Sequence, residues 1–234
     1  MSEGPAGPSP GGAAAPLLGE PVPGWTVRPW PPRATLVGRT AVLEPLRAAH
    51  VDDLTRAWAD TDDAHWAHLP LERPEGRDEV ADVVAAMVDD PGWVSYAVVV
   101  QGRAAGVLSL MRIDPANGSI EIGAVIYGSA LMRTVASTEA QRLLMGHVLD
   151  DLRYRRLEWK CNALNAPSRA AALRLGYTFE GVFRQAMVVK GRNRDTAWFS
   201  MLDSEWPAVR ARLDAWLDPA NFDEVGRQRR RLAR

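Results

Sequence analysis

The spacing of apolar residues along the chain changes between regions, and each spacing predicts one type of element. Over residues 48–60 and again over residues 77–88, apolar side chains recur at intervals of three and four, which is typical of one face of a helix. Pro91 and Gly92 end the second of these patterns. Before them, extended segments are predicted from Thr35 onward, around a turn at Gly38.

In the middle of the chain the spacing changes to a period of two, which is the period of a strand. Residues 94–100, 104–113 and 120–127 predict three consecutive strands. Asn117 and Gly118 lie between the second and the third and supply the positive backbone φ of a tight hairpin turn. The pattern therefore predicts an antiparallel meander.

A helix separates this meander from the next strand, and that order predicts a parallel pair. Residues 137–152 carry a helical apolar face, with Thr138 and Gln141 at the spacing of a capping box. A strand at 157–162 follows, so the strands at 120–127 and 157–162 should lie parallel across a helical connection. The remaining predicted elements are a helix at 167–175 closed by Gly176, strands at 178–189 and 196–202, and a helix at 204–217.

Composition predicts one domain between two unlike ends. Residues 1–32 hold nine of the seventeen prolines, six glycines and only three charges, so we predict a disordered or extended arm there, with Trp25 and Trp30 as candidates to hold its end on the domain. Residues 33–218 form the predicted domain, and residues 219–234 form a basic C-terminal tail. An apolar content of 47% in 234 residues supports one core of ordinary size.

Charge and cysteine content exclude several classes of function. A net charge of −1 gives no general attraction to nucleic acid or anionic membranes, so a nucleic-acid partner would depend on the basic tail and ranks lowest. No apolar run approaches the roughly 20 residues of a membrane-spanning helix, and Glu3 precedes every basic residue, unlike a signal peptide. The single cysteine, Cys161, cannot form an internal disulfide. We therefore expect a cytoplasmic protein.

Four short motifs occur in an order that resembles a known family. They are Glu121-Ile122-Gly123, Thr138-Glu139-Ala140, Asn165-Ala166-Pro167-Ser168 before Leu175-Gly176-Tyr177, and Gly191-Arg192-Asn193-Arg194-Asp195. Over residues 35–205 the chain resembles the GNAT superfamily of N-acetyltransferases, of the RimJ/RimL type. The resemblance implies an α/β (α+β) fold: a mixed, mostly antiparallel sheet with one parallel, splayed strand pair, flanked by helices.

The same resemblance implies acetyl-CoA as cosubstrate and no metal. Where two parallel strands splay apart, their free backbone groups can pair with the amides of a pantetheine arm, and the strand ending in Val125, Ile126 and Tyr127 should present that edge. The pyrophosphate should meet the start of the following helix. The residues expected to assist it there are Arg133, Thr134, Ser137 and Thr138. The alternative is that Thr138 and Gln141 only cap this helix.

The expected pyrophosphate loop departs from the family pattern. Residues 132–137 carry side chains at both positions where the family has small residues, usually glycine, and Val135 disfavours a positive φ. This departure predicts weaker, altered or lost cofactor binding. It keeps open a second function, that of a catalytically silent ligand-binding module with the same fold.

Acetyl transfer to an amine requires a base, a partner for the oxyanion and an acid for the leaving thiolate. We assign the base to Glu121, which by alternation should share a strand face with Val125 and Tyr127; the alternative is an ordinary polar residue at a strand start. A backbone N–H between Val125 and Tyr127 is the candidate oxyanion donor. Ser168, then Tyr177, are the candidate acids.

Several of these residues have a simpler structural explanation. Ser168 is equally an N-terminal cap, and Asn165, which the resemblance directs toward the cofactor arm, is equally a turn residue. Cys161 alternates with Leu157 and Trp159, which indicates a buried strand face and not a nucleophile.

The acceptor is the least determined part of the sequence-based hypothesis. His65, Trp66 and His68 are expected to border its pocket or to lie on the surface, and the histidine pair alone does not indicate zinc. The acceptor amine is either a protein N-terminus or a small molecule, and the chain is a candidate homodimer.

Overall fold

One eight-stranded sheet organises residues 18–232, which are the residues described by the computed structural model. Along the sheet the strands follow the order β1-β2-β3-β4-β5-β6-β8-β7. They are β1 (Leu36–Val37), β2 (Val42–Pro45), β3 (Val94–Val100), β4 (Arg103–Asp114), β5 (Ser119–Tyr127), β6 (Arg156–Asn162), β7 (Thr178–Val189) and β8 (Arg192–Leu202). Every neighbouring pair is antiparallel except β5 and β6, which are parallel.

Six α-helices cover the two faces of this sheet. They are α1 (Val51–Ala59), α2 (Asp63–Trp66), α3 (Arg77–Asp89), α4 (Val135–Gly146), α5 (Ala166–Leu175) and α6 (Trp206–Leu217). One core packs α4, α5 and α6 on one face, with Leu144, Leu175 and Leu213 fully or almost fully buried. A second core packs α1 and α3 on the opposite face, around Leu54 and Val84. The predicted α/β architecture and the parallel strand pair are therefore confirmed.

The start of α4 differs from the prediction. Thr134, and not Thr138, is the N-cap: its hydroxyl accepts a hydrogen bond from the Ser137 N–H at 3.1 Å. The predicted capping box is wrong because Gln141 instead donates to the Tyr127 hydroxyl at 2.9 Å. The C-terminal part of the predicted helix is a π-helical turn, His147–Asp151.

Both ends of the described chain lie against the domain. The Trp25 indole donates to the Ala116 carbonyl oxygen at 3.0 Å, and Tyr154 donates to the Pro29 carbonyl oxygen at 3.0 Å. Trp25 therefore holds the end of the arm on the β4–β5 turn, as predicted, whereas Trp30 is half exposed. Residues 1–17 of the predicted arm lie outside the described residues. After α6, Phe222 contacts Trp216 edge to face, so the tail folds back on that helix.

A buried carboxylate on α4 holds the β1–β2 turn. Glu139 accepts hydrogen bonds from the backbone N–H groups of Arg39, Thr40 and Ala41 and from the Thr40 hydroxyl. At Gly38 an added Cβ would lie 2.8 Å from this carboxylate, so only glycine fits there. Burial alone would raise the pKa of Glu139, but the hydrogen bonds outweigh it and the pKa lies below its ordinary value.

We expect Glu139→Gln to lower the free energy of unfolding by about 2 kcal/mol at pH 7, because Gln can satisfy only part of this donor set. A group with a lowered folded pKa stabilises the protein above its unfolded pKa, and this stability is lost as the pH falls through the folded pKa. The difference between the two proteins should therefore shrink below about pH 4. Urea unfolding measures it, with exposed Glu224→Gln as the control. Equal stability of Glu139→Gln and wild type at pH 7 would contradict this role.

Candidate active site

The two parallel strands at the centre of the sheet separate after three residue pairs. β5 and β6 pair only from Ser119 opposite Arg156 to Glu121 opposite Glu158. Beyond Glu121, β5 pairs with β4 alone, and beyond Glu158, β6 pairs with β8 alone. The facing edges of residues 122–127 and 159–162 therefore leave backbone N–H and C=O groups without a strand partner.

A bulge in β5 lies at this separation. Gly123 pairs with Ser109 and Ile126 with Val107, so β5 has one residue more than β4 between these pairs, and Ala124 has a φ of +48°. The bulge reverses the alternation of side chains. Val125 and Tyr127 pack on the α4 side, whereas Glu121 lies beside Gly123 on the other face. The predicted shared face of Glu121, Val125 and Tyr127 is therefore wrong.

The loop before α4 adopts a positive φ where the sequence analysis did not place it. Arg133, which is exposed, has a φ of +62°, and Val135 is already the first residue of α4. The valine thus carries no backbone strain. Since the first N–H groups of a helix have no partner within it, those of Val135 and Ala136 are free for an anion.

The hydroxyl groups near this helix start are already engaged. Thr134 donates to the Leu131 carbonyl oxygen at 2.7 Å, and Ser137 and Thr138 donate to the Thr134 carbonyl oxygen at 2.8 and 3.3 Å. These three hydroxyls shape the turn. The backbone N–H groups of Val135 and Ala136 and the guanidinium of Arg133 remain as the groups suited to an anion.

A second cation near the helix start was missed by the sequence analysis. Arg174, in the last turn of α5, donates to the Thr138 hydroxyl at 2.9 Å. Burial lowers the pKa of Arg174, which indicates a guanidinium held away from bulk water. No local signal marks it, because it comes from a helix 36 residues further along the chain.

Glu121 lies where β5 and β6 begin to separate, and it is paired with a cation. Its carboxylate is 2.9 Å from the Lys160 ammonium and 3.6 Å from the Arg112 guanidinium. Lys160 also contacts Glu158 at 2.9 Å and lies 3.7 Å above the Trp198 ring. Burial raises the pKa of Glu121 above its ordinary value, and the charge of Lys160 offsets part of this increase.

Tyr177, the residue before β7, lies beside the strand separation on the α4 side. Its ring lies 5.8 Å from that of Trp159 on β6, and its buried hydroxyl has no hydrogen-bond partner among the described residues. Burial raises the pKa of Tyr177, and the neighbouring Glu121 and Tyr127 raise it further. The phenol therefore stays protonated at neutral pH and can donate its proton.

The start of α5 resolves the roles of Asn165 and Ser168 in the fold. Asn165 is the N-cap, and its side-chain oxygen accepts from the Ser168 N–H at 3.0 Å. The Ser168 hydroxyl accepts from the Trp159 indole N–H at 3.0 Å. Ser168 is therefore not the cap, and its hydroxyl contacts both the Trp159 indole and the buried Cys161 thiol.

A cavity of about 470 Å³ opens between the segment around α2 and the β7–β8 hairpin. We call it the hairpin cavity; it is lined by Asp63, Trp66, Ala67, His68, Glu72, Arg73, Asn162, Leu164, Val189, Lys190, Arg192, Asn193 and Arg194. Asn162 is the last residue of β6, so the cavity meets the open end of the strand separation.

The three residues predicted to bind the acceptor are divided by the structure. His68 and Trp66 line the hairpin cavity, although the Trp66 ring is almost entirely buried and packs edge to face on Trp58. His65 is not among the lining residues, and burial lowers its pKa. Within residues 18–232 no three His, Cys, Asp or Glu side chains are placed to hold a metal ion, and no helix is long and apolar enough to cross a membrane.

Comparison with curated proteins gives two relatives at modest identity. Over 117 residues the chain is 28% identical to YdaF of Bacillus subtilis (strain 168), provisionally named a ribosomal N-acetyltransferase; the match covers 50% of this chain and 63% of that protein. Over 101 residues it is 32% identical to the ribosomal-protein-serine acetyltransferase of Escherichia coli (strain K12), which covers 43% of this chain and 56% of that protein. The matched stretch thus spans somewhat less than two thirds of each curated relative.

Solved structures match over more of the chain. A GCN5-related N-acetyltransferase from Brucella melitensis is 48% identical, with a TM-score of 0.88 over 90% of this chain and 97% of that one. The family model described as an acetyltransferase (GNAT) domain matches residues 41–178. Together with the separated strands, the bulge and the free N–H groups at the start of α4, this match means that the chain belongs to the GNAT acetyltransferase family.

Proposed function

We propose that this chain is an acetyl-CoA-dependent N-acetyltransferase that acts on the α-amino group of a polypeptide. The observation that carries the proposal is the separation of β5 and β6 after Glu121. The start of α4 follows the end of β5 along the chain, and the Tyr177 hydroxyl beside the separation has no hydrogen-bond partner among the described residues. Membership of the family supports the reaction class, and the name of the Escherichia coli relative supports a protein acceptor.

The groups at the site fit coenzyme A. The amides of a pantetheine arm would pair with the free edges of residues 122–127 and 159–162 in the manner of an added strand. The pyrophosphate would accept from the N–H groups of Val135 and Ala136, with Arg133 beside it. Because Val135 has a helical backbone conformation, the side chains that replace the family's glycines do not obstruct this contact.

The reaction needs three groups of the chain. Glu121 accepts the proton of the attacking amine, and its raised pKa makes it a stronger base than an ordinary carboxylate. A backbone N–H at the bulge, next to Val125, donates to the oxyanion. Tyr177 donates its proton to the sulfur as the carbon–sulfur bond breaks. Acetyl-CoA supplies the activated acyl group, and the new bond joins the amine nitrogen to the acetyl carbon.

A two-step measurement tests the proposal. Calorimetry with acetyl-CoA should show binding, and a thiol-release assay should show turnover with peptides that begin with serine and not with polyamines or aminoglycosides. Turnover only with small amines would contradict the protein acceptor. Binding of acetyl-CoA without thiol release from any amine would instead support the silent ligand-binding module.

The helix start should control coenzyme affinity through charge. We expect Val135→Glu to weaken acetyl-CoA binding at least tenfold relative to Val135→Gln, because a carboxylate at the first position of α4 repels the pyrophosphate. The two variants match in size, and a glutamate in the first turn favours the helix itself. Calorimetry measures the difference, which should shrink as salt is added. Equal affinity of the two variants would place the pyrophosphate elsewhere.

A further inference from the structure

Two arginine side chains of β8 line the hairpin cavity without an acidic partner. Arg192 and Arg194 both lie among its lining residues. In the described part of the chain neither forms an ion pair with a carboxylate, and the buried Nε of Arg194 has no hydrogen-bond partner. Donors held in this way beside a cavity are suited to a ligand that brings its own acceptor.

The other charges of the cavity are already matched. Lys190 pairs with Glu72 at 2.9 Å, and Arg73 lies 3.6 Å from Asp63. The lining therefore holds four basic side chains against two carboxylates. The unmatched positive charge belongs to the β8 arginines and favours an anionic group in the cavity.

These arginines continue the sheet face that carries Glu121. Lys160, the partner of Glu121, is opposite Trp198, and Asn162 is opposite Thr196; Arg194 is the next residue of β8 on that face. Each of these two-residue steps advances about 6.6 Å along the strands. The backbone of Arg194 is thus about 13 Å along the sheet from the level of Lys160. An anion bound by Arg194 can lie closer than this by the length of the arginine side chain.

We propose that the hairpin cavity selects acceptor peptides with a carboxylate side chain at the second or third residue, which Arg194 and Arg192 bind. The proposal rests on the proposed function. An extended peptide advances about 3.5 Å per residue, so such a carboxylate reaches the arginines while the terminal amine lies near Glu121. The α-carboxylate of a free amino acid is too close to its own amine to do so. The planar guanidinium suits a carboxylate better than an ammonium would.

The test uses tetrapeptides that begin with Ser and carry Glu, Gln or Lys at the second position, together with free serine and free glutamate. Thiol release gives kcat/KM for each acceptor, and calorimetry with the coenzyme A complex gives its affinity. We expect the Glu peptide to exceed the Gln peptide about tenfold in both quantities. The ratio should fall toward one in Arg194→Gln and in the double variant with Arg192→Gln, but not in the control Arg184→Gln on exposed β7.

The outcomes separate this inference from the proposed function. In one outcome no acceptor is turned over, but the Glu peptide still binds more tightly than the Gln peptide and Arg194→Gln removes this preference. The cavity assignment then holds, and the proposed acetyl transfer is contradicted. If the Glu and Gln peptides are turned over equally, the reaction holds and the inference is overturned. A preference that survives in the double variant, or free amino acids that equal the Glu peptide, would also overturn it.

Discussion

Replacing Tyr177 by Phe is expected to lower kcat about 100-fold while leaving the affinity for acetyl-CoA nearly unchanged. The variant removes only the hydroxyl that we assign as the acid for the leaving thiolate, a role typically worth at least that factor. Since this hydroxyl is buried and has no hydrogen-bond partner in the described residues, its loss should not destabilise the fold. Steady-state kinetics and urea unfolding of the same variant measure the two effects separately.

Tyr154→Phe is the matched control. Tyr154 is also fully buried, but its hydroxyl donates to the Pro29 carbonyl oxygen, away from the strand separation. It should lose about 1 kcal/mol of stability and keep its turnover. An unchanged kcat in Tyr177→Phe would remove the tyrosine from the mechanism and leave Ser168 as the remaining candidate acid.

Glu121→Gln should lower kcat/KM at least 100-fold at neutral pH, because an amide cannot accept the proton of the attacking amine. The fold should tolerate the change, since Lys160 keeps its second carboxylate partner, Glu158. In the wild type, kcat/KM should rise with pH through the pKa of Glu121, which burial places above the ordinary carboxylate range. This acidic limb of the pH profile should be absent from the variant.

Glu158→Gln separates the base from its neighbour. Both carboxylates lie 2.9 Å from the Lys160 ammonium, but of the two only the charge of Glu121 contributes to raising the pKa of Tyr177. If Glu121 acts only by holding Lys160, the two variants should lose activity equally. We expect only Glu121→Gln to lose activity. If the acidic limb of the pH profile persists in Glu121→Gln, Glu121 is not the base.

Periodicity predicted most of the fold because its elements are long and regular. The spacing over 77–88 corresponds to α3, Arg77–Asp89, and the alternation over 120–127 corresponds to β5, Ser119–Tyr127. The helical connection between β5 and β6 was sufficient to predict their parallel pairing. These features depend on local pattern, which the sequence carries directly.

The parts of the site that were missed depend on strain or on distant contacts. Gly123, directly before the bulge at Ala124, is the kind of isolated glycine that can signal a bulge, but strict alternation continued through it and assigned Glu121 to the wrong face. The helix start at Thr134 could have been found, because a threonine three residues before Ser137 is itself a capping signal. The contacts of Lys160 with Glu121 and of Arg174 with Thr138 require a strand register and a helix packing that local patterns do not contain.

A crystal structure of the chain with coenzyme A bound tests the central claim most directly. We predict that the pantetheine amides pair with residues 122–127 or 159–162, that the sulfur lies near the Tyr177 hydroxyl, and that the pyrophosphate accepts from the Val135 and Ala136 N–H groups. A coenzyme bound away from the gap between β5 and β6, with these strand edges still free, would contradict the account.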